Sequence, residues 1–237
     1  MSIWNLFGGK AAMVDPAKAL PGRSEPSYRV PTRNVVLAGP LLGPWPAGTQ
    51  VLYVAMGCFW GAERRLWQLP GVVGTAVGYM GGVTPNPTYE ETCTGMTGHT
   101  ETVMVAYDPS VASTYDVLKV FWENHDPTQG YRQGNDVGTQ YRSAIYWTDE
   151  EQEQEVRATG QAYGEVLARE GFDPITTEMR AAEGLAFYPA EEYHQQYLHK
   201  VPHGYDCHAN TGVALPPPAA DATRCASERT VNVLPRD

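Results

Sequence analysis

Hydrophobic positions gather into short, sharply bounded clusters between Gln50 and Val201, and outside that span they keep no sustained period. Val51 to Ala55 is an unbroken apolar run suited to a buried strand, and Gly57 breaks it. In the stretch from Ala62 to Leu69, Leu66 and Leu69 recur at helical spacing until Pro70-Gly71 stops the pattern. Val72 to Tyr79 predicts a second strand, and Glu101 to Tyr107, which alternates, a third. Ser113, with Asp116 three residues on, predicts a capped helix running to about Asn124. Ser143 to Trp147 predicts another strand. Thr148 followed by Glu151 reads as a capping box that opens a long helix, which Gly171 ends. Ile175 to Arg180 predicts an edge strand, and Pro189 to Lys200 a final helix with proline in its first turn.

Two polar, glycine-containing stretches interrupt this series: GGVTPNPTYEETCTGMTGHT after Met80 and HDPTQGYRQGNDVGTQYR before Ser143. Both are too long to be mere connectors, which makes them candidate site loops. Strands and helices mix without strict alternation. The expected fold is therefore α+β, a two-layer α/β sandwich with a mixed, largely antiparallel sheet and long functional loops. Residues 1–48, rich in Pro, Gly and Ala, form an N-terminal arm that lies over the core or partly frays. The α+β domain takes residues 49–205, and residues 206–237 form a mobile C-terminal tail.

Composition adds limits to this picture. Hydrophobic residues at 42% and charged residues at 19% are ordinary for a soluble globular protein, and 24 Gly and 19 Pro agree with a loop-rich chain. The formal charge of −10 with no run of Lys or Arg argues against nucleic acid, anionic membranes and polyanionic substrates as partners. The first residues, MSIWNLFGGKAAMVDP, lack the features of a secretory signal, so a cytoplasmic location is expected. Four scattered cysteines, Cys58, Cys93, Cys207 and Cys225, with no C-x-x-C pair, offer neither a disulfide framework nor a zinc ribbon. His203 and His208 flank Cys207 without a second ligand pair, so no metal and no cofactor are expected.

The chemistry concentrates at Ala-Met-Gly-Cys-Phe-Trp-Gly-Ala-Glu, residues 55–63. Cys58 falls where a strand pattern gives way to a helix pattern. A helix start leaves amides unpaired and carries partial positive charge, so thiolate character is expected there. Gly57 and Gly61 permit a tight turn and close approach, while Phe59 and Trp60 would wall the sulfur with apolar surface suited to a methyl or thioether group. A buried, inert core cysteine fits the position equally well.

Gly57-Cys58-Phe59-Trp60-Gly61 resembles the active-site signature of the peptide methionine sulfoxide reductase A family, in which this cysteine is the nucleophile. The likeness continues through residues 78–101, 121–146 and 191–205, and so covers roughly residues 50 to 207. It implies a mixed α/β sandwich around a shallow aromatic pocket, with 49–205 as the catalytic domain. It implies further that Glu101 protonates the sulfoxide oxygen, and that Tyr89, Asp136 and Tyr141 bind that oxygen or brace the pocket. Cys58 would pass through a sulfenic acid, which Cys207, in His203-Gly204-Tyr205-Asp206-Cys207, would resolve. Cys207 matches the family's resolving cysteine offset by the inserted Asp206. The further cysteine that many relatives carry shortly after Gly-Val is absent, and Cys225, well downstream, is either a disulfide relay or a bystander. Cys93 has no role in the family. His194 could brace the pocket. Methionine-S-sulfoxide, free or in proteins, is the implied substrate, thioredoxin the reductant, and a monomer the expected state. Two rival readings stay open: a hydrolase or acyl transferase with Cys58 as nucleophile and a histidine base, and a non-catalytic module that holds methionine side chains.

Overall fold

A computed structural model describes residues 11–207 and 209–218. Six strands build one mixed sheet in the order β7-β6-β1-β3-β2-β8: β1 Gln50–Met56, β2 Val72–Met80, β3 Thr100–Tyr107, β6 Ser143–Trp147, β7 Glu178–Ala181 and β8 Tyr188–Pro189. Every pairing is antiparallel except β6 with β7, which is parallel. Two short strands, β4 Arg132–Gln133 and β5 Asp136–Val137, form a separate hairpin inside the second polar stretch.

The helices α1 Phe59–Trp67, α3 Thr114–Glu123 and α4 Glu150–Arg169 pack on one face of this sheet, and α2 Tyr89–Cys93 and α5 Tyr197–Lys200 are short. Leu52 and Val54 of β1 meet Phe59 and Leu66 of α1, Phe121 and Trp122 of α3 and Tyr163 of α4 in the main core. The opposite face is not left to water. Leu41 of the N-terminal arm is fully buried with Ala76 and Met104 beneath Trp45, and Asn34 donates through Nδ2 to the Thr75 carbonyl at 2.9 Å. With both faces covered, every residue of β3 is buried. The alternation read in that strand therefore separates two interiors, not core from solvent.

Several boundaries differ from expectation. The long helix is capped by Asp149, whose carboxylate accepts the Gln152 amide, and not by Thr148, whose hydroxyl donates instead to Val51 of the neighbouring strand. The edge strand lies at Glu178–Ala181, three residues later than its β-rich start suggested. The final helix shrinks to α5 because residues 191–196 are held by long-range polar bonds. The Gln195 side chain pairs with both backbone groups of Val77, and Gln196 stands in the left-handed region with φ 48°, its amide donating to Glu63. These bonds take the polar groups that a continuous helix would have turned outward. The first polar stretch hides α2, whose capping box joins Thr88 and Glu91 reciprocally. Residues 209–218, expected in a mobile tail, lie across α3 and α4. Leu215 is buried, and the hydroxyls of Tyr115 and Tyr163 donate to the carbonyls of Pro216 and Val213. Cys225, His208 and residues 219–237 lie outside the described residues.

Candidate active site

Cys58 is the N-cap residue of α1, one step past the end of β1. The turn depends on Gly57, at φ +87°, where a Cβ would lie only 2.6 Å from the Cβ of Gln133. Gln133 is itself fixed by a pair of hydrogen bonds to the backbone of Asp126, so the β4–β5 hairpin is held against the cysteine turn.

Strand pairing delivers the acid. Val54 of β1 stands opposite Val103 of β3 in an antiparallel register, which brings the end of β1 beside the start of β3. Period-two alternation turns Glu101 to the helix-bearing face along with Val103, Val105 and Tyr107. There its Oε2 accepts the Phe59 amide at 3.0 Å, one of the donors that the first turn of α1 cannot satisfy internally.

A cavity of about 120 Å³ opens at this junction, lined by Cys58, Phe59, Trp60, Tyr89, Glu101, Asp136, Tyr141 and Tyr205. That volume is a few times the roughly 30 Å³ share of a liquid water, enough for the tip of one side chain. The sequence-expected residues Cys58, Phe59, Trp60, Tyr89, Glu101, Asp136 and Tyr141 all meet here. Tyr205 was not expected. Its signal was its place two residues before Cys207, and its hydroxyl donates to Asp136 Oδ2 at 3.1 Å. Cys207 flanks the cavity and donates through Sγ to the Gln133 carbonyl at 3.7 Å. Cys93, on α2 one turn after Tyr89, hydrogen-bonds Tyr89 outside the cavity lining.

The electrostatics correct one expectation. Burial, then the neighbouring Glu101, push the Cys58 thiol well up, and the hydrogen bond from the Trp60 backbone amide pulls the other way without prevailing. At 7% exposure the helix start does not produce a resting thiolate, because desolvation outweighs the terminal amides. Burial likewise raises Glu101 to about 8; the Phe59 amide opposes this and Asp136 adds to it. Glu101 is thus a neutral acid at pH 7. With Oε2 taken by Phe59, its proton falls to Oε1. Burial first and Glu101 second hold the Tyr89 and Tyr141 phenols far above their ordinary range, so both remain O–H donors. Asp136 is also raised by burial, with the Tyr205 hydroxyl opposing.

The aromatic wall is braced from behind. Trp60 donates through Nε1 to Nδ1 of the buried His194 at 3.0 Å, and that ring stacks on Trp60 and tilts against Phe59 and Tyr89. Burial lowers His194 to about 3, so it is neutral, with its proton on Nε2. Among the described residues no histidine lines the cavity, and the hydrolase reading loses the base it needs. Nor do three His, Cys, Asp or Glu side chains converge anywhere among them as a metal site requires. No helix among them is long and apolar enough to cross a membrane.

A family model described as peptide methionine sulfoxide reductase matches residues 50–218. Peptide methionine sulfoxide reductase MsrA 1 of Synechocystis is 56% identical over 216 residues, spanning 91% of this chain and 96% of that protein. The MsrA of Streptomyces griseus is 56% identical across 85% of this chain and 90% of its own. Among solved structures, methionine sulfoxide reductase A of Corynebacterium diphtheriae superposes with a TM-score of 0.77 at 48% identity, covering 87% of this chain and all of that one. The pocket, the sheet that shapes it and these relatives agree: the chain belongs to the peptide methionine sulfoxide reductase family.

Proposed function

We infer that this protein reduces methionine-S-sulfoxide, free or in polypeptides, to methionine. The supporting observation is the single small cavity in which a thiol, a protonated carboxyl, two phenol donors and an indole wall converge. Phe59 and Trp60 receive the methyl end of the side chain, and Tyr89 and Tyr141 donate to the sulfoxide oxygen, an acceptor. Asp136, held by Tyr205, fixes the polar rim.

The proton count closes within the site. Cys58 Sγ attacks the sulfoxide sulfur as Glu101 hands its proton to the oxygen, and the carboxylate so formed takes up the thiol proton. The S–O bond breaks as the hydroxyl passes to Sγ, the bond between Sγ and the methionine sulfur breaks with it, and methionine departs with Cys58 as sulfenic acid. Cys207 then condenses with Cys58: an S–S bond forms, the second S–O bond breaks, and water leaves with the thiol proton. A dithiol donor, thioredoxin by the family resemblance, restores both thiols, directly or through Cys225. A cytoplasmic setting, where thiols are kept reduced, suits this cycle.

The test is turnover of the separated sulfoxide epimers with a dithiol reductant. One epimer is expected to give methionine, because each requires its own pocket hand. Comparable rates on both, or none on either, would remove the assignment. Full alkylation resistance of Cys58 at neutral pH, together with tight sulfoxide binding and no product, would favour a methionine-holding module instead.

A further inference from the structure

The short segment that carries Cys207 has little packing of its own. Tyr205 is 46% exposed, and the Cys207 sulfur is held by backbone groups, donating to the Gln133 carbonyl at 3.7 Å and accepting from the Ala209 amide. Between Tyr205 and Cys207 stands Asp206. Its side chain is only 6% exposed and lies against α1 between two arginines. Arg64 pairs with Oδ2, and Arg65 donates through Nη1 to Oδ1 at 3.1 Å and to the Gly61 carbonyl at 3.1 Å. Arg65 is also held at its other end, with Nε donating to Asn124 Oδ1 at 3.2 Å. Room for the carboxylate exists only because residue 61 is glycine, since a Cβ there would collide with Asp206 Oδ1.

This places the anchor on the same helix whose first residue adjoins the nucleophile. The Cys207 sulfur faces the carbonyl of Gln133, and Gln133 packs on Gly57, immediately before Cys58. Both thiols therefore adjoin the Gly57–Gln133 contact, and a charge on Cys207 is close enough to raise Cys58. A partly buried carboxylate shared by two guanidinium groups is stronger than an exposed pair. A tether of this kind raises the effective concentration of the second thiol at the first.

We propose that Asp206 is a positioning residue: its ion pairs with Arg64 and Arg65 hold Cys207 beside the cavity and set the rate at which the sulfenic acid of Cys58 closes to a disulfide. This rests on the reading that Cys207 is the resolving thiol. In the step concerned the Cys207 thiol displaces hydroxide from the Cys58 sulfur, with one S–S bond formed and one water released. Sulfoxide reduction precedes it and uses Cys58 and Glu101. The two half-reactions can therefore be timed separately.

The experiment is a single turnover of the full chain with methionine sulfoxide and no reductant. It follows the methionine burst alongside the loss of two free thiols per enzyme. In D206N and D206A, closure is expected to slow by about 10-fold or more relative to the burst, with sulfenic acid accumulating to a trapping reagent. Arg64→Gln tests the same contact from the other side should either variant fold poorly, and the exchange of R64D with D206R is expected to recover part of the closure rate. Closure that keeps pace with the burst in these variants overturns the proposal, as does an equal fall in both rates, which would mean general damage to the site. Cys207→Ser separates the two readings. If that variant still loses two thiols, the resolving assignment has failed, and the Asp206 proposal with it; if it stalls at sulfenic acid, only the Asp206 variants decide.

Discussion

Glu63, within α1, and Glu101, against its first turn, are both almost completely buried, and both are shifted by the same cause. Desolvation raises Glu63 to about 7 and Glu101 to about 8. Their partners differ. Glu63 accepts from the Thr75 hydroxyl at 3.0 Å and from the backbone and side-chain amides of Gln196, each at 2.8 Å. Through Asn34 and Thr75 that cluster also ties down the N-terminal arm. Glu101 accepts one backbone amide and faces a cavity. A carboxyl whose lone pairs are spent on neutral donors is structural mortar, whereas one with a single donor and an open side keeps a proton it can give away.

The largest effect that separates them is catalytic. Glu101→Gln keeps the acceptor for Phe59 and removes the acid, so the methionine burst is expected to fall by about 10² to 10⁴ with little change in Tm. Glu63→Gln is expected to leave the burst within about 2-fold; a loss comparable to that of the Glu101 variant would erase the distinction. The second contrast appears in pH. The wild-type burst should decline as pH rises through about 8, where Glu101 loses its proton, and Glu101→Gln should show no such limb.

Stability carries the third. Glu63 has a folded pKa of about 7 against an ordinary 4.5, so the folded state binds the extra proton. Its contribution is fully present below pH 4.5 and is lost as pH rises to about 7. At 1.36 kcal/mol per unit this part is roughly 3 kcal/mol, and denaturant midpoints for Glu63→Gln should vary less across that window than those of the parent chain. At pH 8 the same substitution turns an amide toward a hydroxyl or amide donor and should cost about 1–3 kcal/mol. The smallest effect belongs to Gln196→Ala, which removes one of three donors and should lower stability by about 1 kcal/mol without altering the burst.

The sequence carried the active-site side of this comparison better than the structural side. Cys58, Phe59, Trp60 and Glu101 could be placed because their spacing matches a family signature, and because strand alternation and a helix start are local patterns. Nothing local marks Glu63, within the same stretch, as special, since its partners at Thr75 and Gln196 are brought in only by the fold. The final helix failed for the same reason: Gln195 and Gln196 bond groups more than 100 residues away, which no local period records. Thr148 and Asp149 compete for one cap, and the choice was made by Val51, which claims the Thr148 hydroxyl. Tyr205 and Asp206 were in view as neighbours of Cys207, but their directions toward Asp136 and α1 depend on a turn that composition does not encode.

The protonated pair at the mouth of α1 bears on how the protein survives its own surroundings. Peroxides and electrophiles react with thiolates far faster than with thiols, and a sulfur kept neutral beside a neutral acid gives them little to attack while the cup stands empty. On the proposed mechanism, reactivity then arrives with the oxidised side chain itself, whose oxygen takes up the proton. An enzyme stationed where oxidants abound would thereby avoid becoming their first casualty.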